Sequence, residues 1–307
     1  MNDFVLATRK LTKAFGNQLA VNDVNIHVKP GHIYGLIGRN GSGKTTIMKM
    51  VLGLSKKTDG EILIFGKAPE RNAHEVYHRI GSTIETPGFY PNMTARENLE
   101  VFASLRGTID DQSIRKALHT VELPYEDKKH FSQYSLGMKQ RLGIANAIMH
   151  NPDFLILDEP ANGLDPIGIA DIRNLIKSLS RDYGKTILIS SHQLTEMEQM
   201  ITQVGFIHNG KLLKECDYED LLKRRGNYIS VKTSDIKKAC AILRQQLNID
   251  DYSAKENGVV EIFDLTHDPS AINRALIMAE VDVSAIGLKT NGLEEYFSSL
   301  IGSGEHV

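Results

Sequence analysis

The residues with the clearest chemical capacity lie between Gly38 and Thr45, GRNGSGKT, which fits the spacing G-x-x-x-x-G-K-[ST]. Gly38, Gly41 and Gly43 let successive backbone N–H groups turn toward one point, and such an array is a cradle for anions. The helix that must follow, opening TTIMKMVLG, adds the positive end of its dipole. Lys44 then supplies a point charge for the β- and γ-phosphates of a nucleotide, and the hydroxyl of Thr45 is placed to ligate Mg²⁺. With Asn40, Ser42 and Thr46 included, this loop is the candidate nucleotide-binding set.

A metal ion held by one hydroxyl needs an acid at the end of a neighbouring strand. FLILDEP supplies Asp158 after four apolar residues, placed to hold Mg²⁺ directly or through water, and Glu159 one residue on, placed to orient or deprotonate an attacking water. An Asp-Glu-Pro run also ends strands and opens turns in many proteins. Beside a phosphate loop the functional reading is the stronger one. His192, in TILISSHQL, ends another predicted strand at the carboxyl edge of the sheet, where open α/β folds collect ligands. A neutral imidazole there accepts from the water or donates to the γ-phosphate.

These groups need a scaffold, and the first two-thirds of the chain reads as one. Short β-branched runs (Ile33 to Ile37, Phe154 to Leu157, Thr186 to Ser190, Val204 to His208) alternate with helix-period segments, the pattern of a mainly parallel sheet flanked by helices. Leu142, Ala145 and Met149 keep one helix face, and Ile172, Leu175, Ile176 and Leu179 another. At 307 residues and 41% hydrophobic content the chain exceeds what one core usually holds, which argues for two units. A charged interruption at Glu215 to Asn227 divides residues 1–215 from 216–307. Its basic trio, Lys223, Arg224 and Arg225, reads as the solvated end of a helix. Beyond it the order βαββαβ, with a hairpin at Asn257-Gly258, points to a small α+β appendage of the ferredoxin-like kind, followed by a helix carrying Leu293, Tyr296, Phe297 and Leu300.

Composition narrows the classes further. A formal net charge of -2 lacks the basic footprint of nucleic-acid binders, so no nucleic-acid partner is expected. The two cysteines, Cys216 and Cys240, are too far apart for CxxC chemistry. No stretch approaches the roughly 18 apolar residues of a membrane helix.

Taken in order, Phe15 in KAFG, GRNGSGKTT, YSLGMKQR at Tyr134 to Arg141, FLILDEP, ANGLD at Ala161 to Asp165, and His192 resemble the ATP-binding cassette (ABC) transporter ATPases over roughly Phe4 to Leu213. The resemblance implies a P-loop NTPase cassette with a mainly parallel sheet, an antiparallel β subdomain and a helical subdomain at about 86–150. It also implies ATP and Mg²⁺ as cofactors, and two cassettes, identical or paired, closing head to tail on two ATPs. Phe15 would then stack on adenine, Ser135 and Gly137 would cap the γ-phosphate bound by the other cassette, and Asp165 would cross the interface. Separate integral membrane permease subunits are implied as partners, with this chain cytoplasmic and peripheral on the inner face of the cell membrane.

Two departures from the family pattern stand out. The signature LSGGQ is here Tyr134-Ser135-Leu136-Gly137-Met138, which keeps the serine and second glycine that reach phosphate. Where the family has a glutamine touching metal and water, this chain has Glu85, a full charge and a poor donor that should bind the metal harder. Glu85, followed by TPGFYPNMTARENL, resembles the branch serving bacitracin resistance and lantibiotic immunity, which implies an ATPase subunit powering removal of a peptide antibiotic. The alternatives are an exporter cassette for another substrate and a soluble non-transport ABC ATPase. The second would be expected to carry two cassettes or a long coiled coil, and a GTPase would show an N-K-x-D clamp; none is present. Pro87 to Asn98, with Phe89, Tyr90 and Met93, is expected beside the cleft that receives the membrane partner, with at least one of the three buried instead. The tail from Asn227 reads as a brace for the cassette before a ligand sensor, because it lacks a cluster of convergent polar groups.

Overall fold

A computed structural model describes residues 3–304 apart from 86, 87, 108, 109, 226, 256 and 291. The chain forms two compact units, residues 1–218 and 219–307. The first opens with β1 (Leu6–Phe15), β2 (Gln18–Val24), β3 (His27–Val28) and β4 (Ile33–Ile37), then α1 (Lys44–Val51) and β5 (Asp59–Ile64). β1 pairs antiparallel with β2, β3 and β5, which makes the antiparallel layer.

There follow α2 (Pro69–Tyr77), β6 (Ile80–Thr83), α3 (Ala95–Arg106), α4 (Asp111–Thr120), α5 (Leu136–Ile148), β7 (Phe154–Asp158), α6 (Pro166–Arg181), β8 (Thr186–Ser191), α7 (Leu194–Glu198), β9 (Gln203–His208) and β10 (Lys211–Asp217). The second sheet runs β10-β9-β4-β8-β7-β6, parallel except for β10 at its edge. Its inner strands β4, β7 and β8 are buried nearly throughout, the usual state of central parallel strands, and their side chains share a core with those of the antiparallel layer and α1. The carboxyl ends of β4, β6, β7 and β8 lead respectively to the phosphate loop, Glu85, Asp158-Glu159 and His192. One edge of one sheet therefore gathers the phosphate loop, Glu85, Asp158, Glu159 and His192, but not Phe15, Ser135, Gly137 or Asp165.

α3, α4 and α5 form the helical part. Thr94 and Glu97 close a reciprocal capping box at the start of α3, and Asp110 caps α4. Of the three apolar residues expected near a partner cleft, Phe89 is core: its ring lies 5.4 Å from that of Phe102 and 5.2 Å from that of Phe131. Tyr90 is half exposed and Met93 partly buried. Pro87 lies outside the described residues.

The charged interruption read from the sequence begins inside a strand, because Glu215 and Asp217 belong to β10 and are held by buried chemistry. Tyr34 on β4 is fully buried, and its hydroxyl donates to Glu215 (2.8 Å), which also accepts from the backbone N–H of His27 (2.8 Å). Burial first and the Glu215 charge second hold the Tyr34 phenol well above its usual range. Asp217 takes Lys29 at 2.6 Å, a pairing that lowers its carboxyl from the usual range. Gly205 makes room for Tyr34, since a Cβ there would stand 2.1 Å from the hydroxyl.

α8 (Tyr218–Arg225) carries the chain into the second unit; the side chains of Lys223, Arg224 and Arg225 lie outside the description. β11 (Asn227–Thr233), α9 (Ile236–Leu247), β12 (Tyr252–Ala254), β13 (Val259–Ile262), α10 (Pro269–Met278) and β14 (Val283–Thr290) realise the expected βαββαβ order as an antiparallel sheet, β12-β13-β11-β14, and α11 (Leu293–Gly304) closes it. Alternate residues Ile229 and Val231 face Ile262 and Val260 across the ladder and share a core with Ile242, Leu243, Ile272 and Leu276. Asn227 pairs with Thr290, so the first and last residues of the motif lie side by side. Among the described residues, no helix is long and apolar enough to cross a membrane.

Two outcomes follow from this packing. Gly205→Ala should destabilise the fold by about 3 kcal/mol, because the methyl group has no space beside Tyr34; urea unfolding of the variant measures it, and an unchanged midpoint would contradict the contact. His150, after α5, accepts from Arg106 through Nδ1 at 3.1 Å and donates from Nε2 to the Ile80 carbonyl at 3.0 Å. Burial, and then the Arg106 charge, push its imidazole down to about 4. Its contribution to stability should be full above about pH 6.5, the unfolded value, and fall away as pH drops toward the folded one. His150→Gln should flatten that part of the stability curve, read by denaturant midpoints across the range.

Candidate functional site

The phosphate loop takes its shape from positions where a side chain has no room. Gly41 and Gly43 have φ of 78° and 108°, in the left-handed region that favours glycine. A Cβ on Gly38 would come within 2.4 Å of the Ile207 carbonyl oxygen, and one on Gly43 within 2.7 Å of that of Ala20. Lys44, the first residue of α1, is only 5% exposed; its ammonium donates to the carbonyls of Gly38 (2.8 Å) and Arg39 (3.3 Å) and stands 3.5 Å from Glu159. Within this loop the Ser42 hydroxyl is buried without a hydrogen-bond partner among the described residues. A buried orphan donor costs about 1–3 kcal/mol, and a phosphate oxygen in the cradle would satisfy it.

Asp158 is the junction of the site. Thr45 donates its hydroxyl to Oδ2 (2.8 Å), and Ser190, from the end of β8, donates to Oδ1 (2.5 Å). The Ser190 oxygen in turn accepts the backbone N–H of Glu159 (2.9 Å), which fixes the next residue. Glu159 has a left-handed backbone, φ 46°, an uncommon conformation for a residue with a side chain. Its two carboxylate oxygens are divided between Lys44 and His192, whose Nδ1 lies 2.9 Å from Oε2. A carboxylate with a hydrogen-bonded imidazole on one side and an ammonium on the other is arranged to accept a proton once the ammonium is drawn elsewhere.

These groups line a cleft of about 530 Å³ that takes in Asn40 to Thr46, Asp158, Glu159 and Glu85. Glu85 also has a left-handed backbone, φ 59°, and its carboxylate accepts from Lys49 at 2.6 Å. Mg²⁺ takes oxygen donors at close to octahedral geometry and keeps several waters. The Thr45 hydroxyl and Asp158 carboxylate, with Glu85 on the same cleft, suit that ion. Gln140, Asn162 and Leu136 line the cleft as well, and sequence reasoning missed them. It missed Ser190 too, whose partner Asp158 comes from a different strand.

Other candidates stand outside this cleft. Phe15 is 56% exposed at the end of β1, with the Lys13 ammonium 4.7 Å from its ring centre. Ser135 caps α5, accepting from the Met138 N–H (3.3 Å), and Gly137 is in the first turn of that helix. Asp165 caps α6 through the Gly168 N–H (2.9 Å). Phe15, Ser135 and Asp165 are exposed and Gly137 is partly so, at a strand end or at helix N-termini.

Residues 21–162 match the family described as ABC transporter. The chain is 47% identical to the bacitracin transport ATP-binding protein BcrA of Enterococcus faecalis over 302 residues, which is 98% of this chain and 98% of that protein. It is 43% identical to the lantibiotic transport ATP-binding protein SrtF of Streptococcus pyogenes over 215 residues, 70% of this chain and 92% of that protein. Among solved structures, the dimeric ATP-binding cassette MJ0796, in a post-hydrolysis state bound to ADP and Pi, superposes with a TM-score of 0.62 at 25% identity, covering 69% of this chain and 98% of that one.

Ser190→Ala should release both Asp158 and the Glu159 backbone. Loss of such a supporting hydroxyl is expected to weaken Mg²⁺-supported nucleotide binding by about tenfold or more. Titration of a fluorescent ATP analogue with and without Mg²⁺ reads the effect, and equal metal dependence in the variant and the unchanged chain would contradict it.

Proposed function

This chain belongs to the ABC transporter family of ATP-binding proteins, and from that membership we propose that it hydrolyses ATP to drive separate membrane permease subunits that remove a bacitracin-type peptide antibiotic. The observation carrying this reading is the extent of the likeness: it runs over 98% of both chains for the bacitracin protein, so the C-terminal unit is included. The lantibiotic protein is alike over 215 residues, fewer than the first compact unit contains. The chain would act at the inner face of the membrane, as one of two cassettes closing on two ATPs.

The proposed chemistry is mostly positioning and charge. The loop amides, the Ser42 hydroxyl and Lys44 hold the β- and γ-phosphates. Thr45 and Asp158 would hold Mg²⁺, which when bound would supply neutralising charge to those phosphates. Lys44 leaves Glu159 as it turns to the phosphates, which frees one carboxylate oxygen of Glu159 for water. The water oxygen bonds to the γ-phosphorus, the bond from phosphorus to the bridging oxygen breaks with its electron pair leaving on ADP, and Glu159 takes the water proton. His192 keeps the carboxylate aimed through its Nδ1 contact. Ser135 and Gly137, at the exposed start of α5, would cap the γ-phosphate of the opposed cassette with the helix dipole behind them, Phe15 would take the adenine, and Asp165 would lie at the shared interface.

Glu159→Gln should retain ATP binding and lose turnover by about 100-fold or more, the usual worth of a general base. The decisive measurement is bacitracin susceptibility of a sensitive host expressing the chain together with its copurifying membrane partner. Protection by the unchanged chain that is absent with Glu159→Gln is the expected result. Protection that survives the substitution would contradict the base assignment, and no protection from the unchanged complex would contradict the substrate class.

A further inference from the structure

The contact between Lys49 and Glu85 is not used by the chemistry above, yet it stands on the same cleft. Lys49 lies four residues after Thr45 in α1, so the two side chains share one helix face, one turn apart. The ammonium reaches Glu85 at 2.6 Å, across 36 residues of chain, and is about one-third exposed. Two local features suit it to this place. It sits in the last turn of α1, where the helix dipole favours a cation. Its partner is held in a left-handed backbone conformation that carries a conformational cost, so an attractive contact at the side chain helps to keep the segment as it is.

The carboxylate poses an electrostatic difficulty that an amide would not. The cleft lined by Glu85 also takes Asp158 and Glu159, and its cradle is built for a polyanion. An unpaired negative charge at that rim repels every phosphate that approaches, with an energy that falls only as the inverse of distance and is not fully damped beside a protein surface.

We propose that Lys49 is a positioning residue for Glu85: its ammonium neutralises the carboxylate and holds it at the cleft rim, so that an anionic nucleotide can approach a site that carries a glutamate there. This rests on the reading of the cleft as the phosphate site and adds the residue that makes Glu85 compatible with it. The contact is solvent-accessible, so its value as a stabiliser of the fold is small. Its effect belongs to binding.

The test is ATP binding by the full chain, measured by calorimetry in EDTA and again in Mg²⁺, for the unchanged chain, Lys49→Gln, Glu85→Gln and the double variant. Lys49→Gln should weaken metal-free ATP binding about fivefold to tenfold, and raising the salt concentration should shrink that loss. The double variant should bind as Glu85→Gln alone does, because without the carboxylate the ammonium has nothing to neutralise. Lys49→Arg should keep binding within about twofold of the unchanged chain, since a guanidinium can pair with the same carboxylate. Unaltered binding in Lys49→Gln, or a loss that persists undiminished in the double variant, overturns the proposal while leaving the phosphate site intact. Failure of the unchanged chain to bind ATP at all overturns the phosphate-site reading and the pair with it.

Discussion

Asp158 accepts hydroxyl hydrogens on both carboxylate oxygens, and the two donors come from elements that meet only because the sheet brings them together. Thr45 belongs to the helix after β4, and Ser190 to the end of β8, while Asp158 itself ends β7. Parallel order β4-β8-β7 is therefore a condition of the site, not a background to it. A shift of any one strand by a residue would turn its side chains to the other face and undo the junction. Glu159 inherits its placement from the same junction, through its backbone N–H on Ser190.

Around that junction the chain accepts local cost. Glu85 and Glu159 both carry side chains in left-handed conformations, and the Ser42 hydroxyl is buried without a hydrogen-bond partner among the described residues. The two glutamates are offset by specific partners, Glu159 by Lys44 and His192 and Glu85 by Lys49, and in the proposed function a phosphate oxygen would do the same for Ser42. Such departures from the most stable arrangement gather at functional sites in many proteins. Here they lie along the carboxyl edge of one sheet or in the loop beside it.

What could be read from the sequence was whatever has a local cause. The phosphate loop was legible because Gly41 and Gly43 occupy backbone conformations that other residues avoid, and the buried strands because apolar runs such as IYGLI and FLILD need cover on both faces. The βαββαβ order of the second unit was legible from alternating and helical periods. Ser190 and Lys49 were not, since a serine at a strand end and a lysine on a helix look like solvated residues until the fold supplies their partners, Asp158 and Glu85. Phe89 was ambiguous for the opposite reason: it sits in a stretch without periodicity, and only Phe102 and Phe131, brought from other segments, show that it is core. The first unit also ends beyond Glu215 and Asp217, at Tyr218, because these two acids have partners in Tyr34 and Lys29.

The pairing of Asn227 with Thr290 has a consequence for how such a chain can change over time. A motif whose two ends are neighbours in one ladder can be added, exchanged or removed by recombination at two points in a gene. The ATP-binding cassette and the βαββαβ unit are then free to have separate histories. A cassette could keep its way of handling phosphate while lineages gain or lose the appended module.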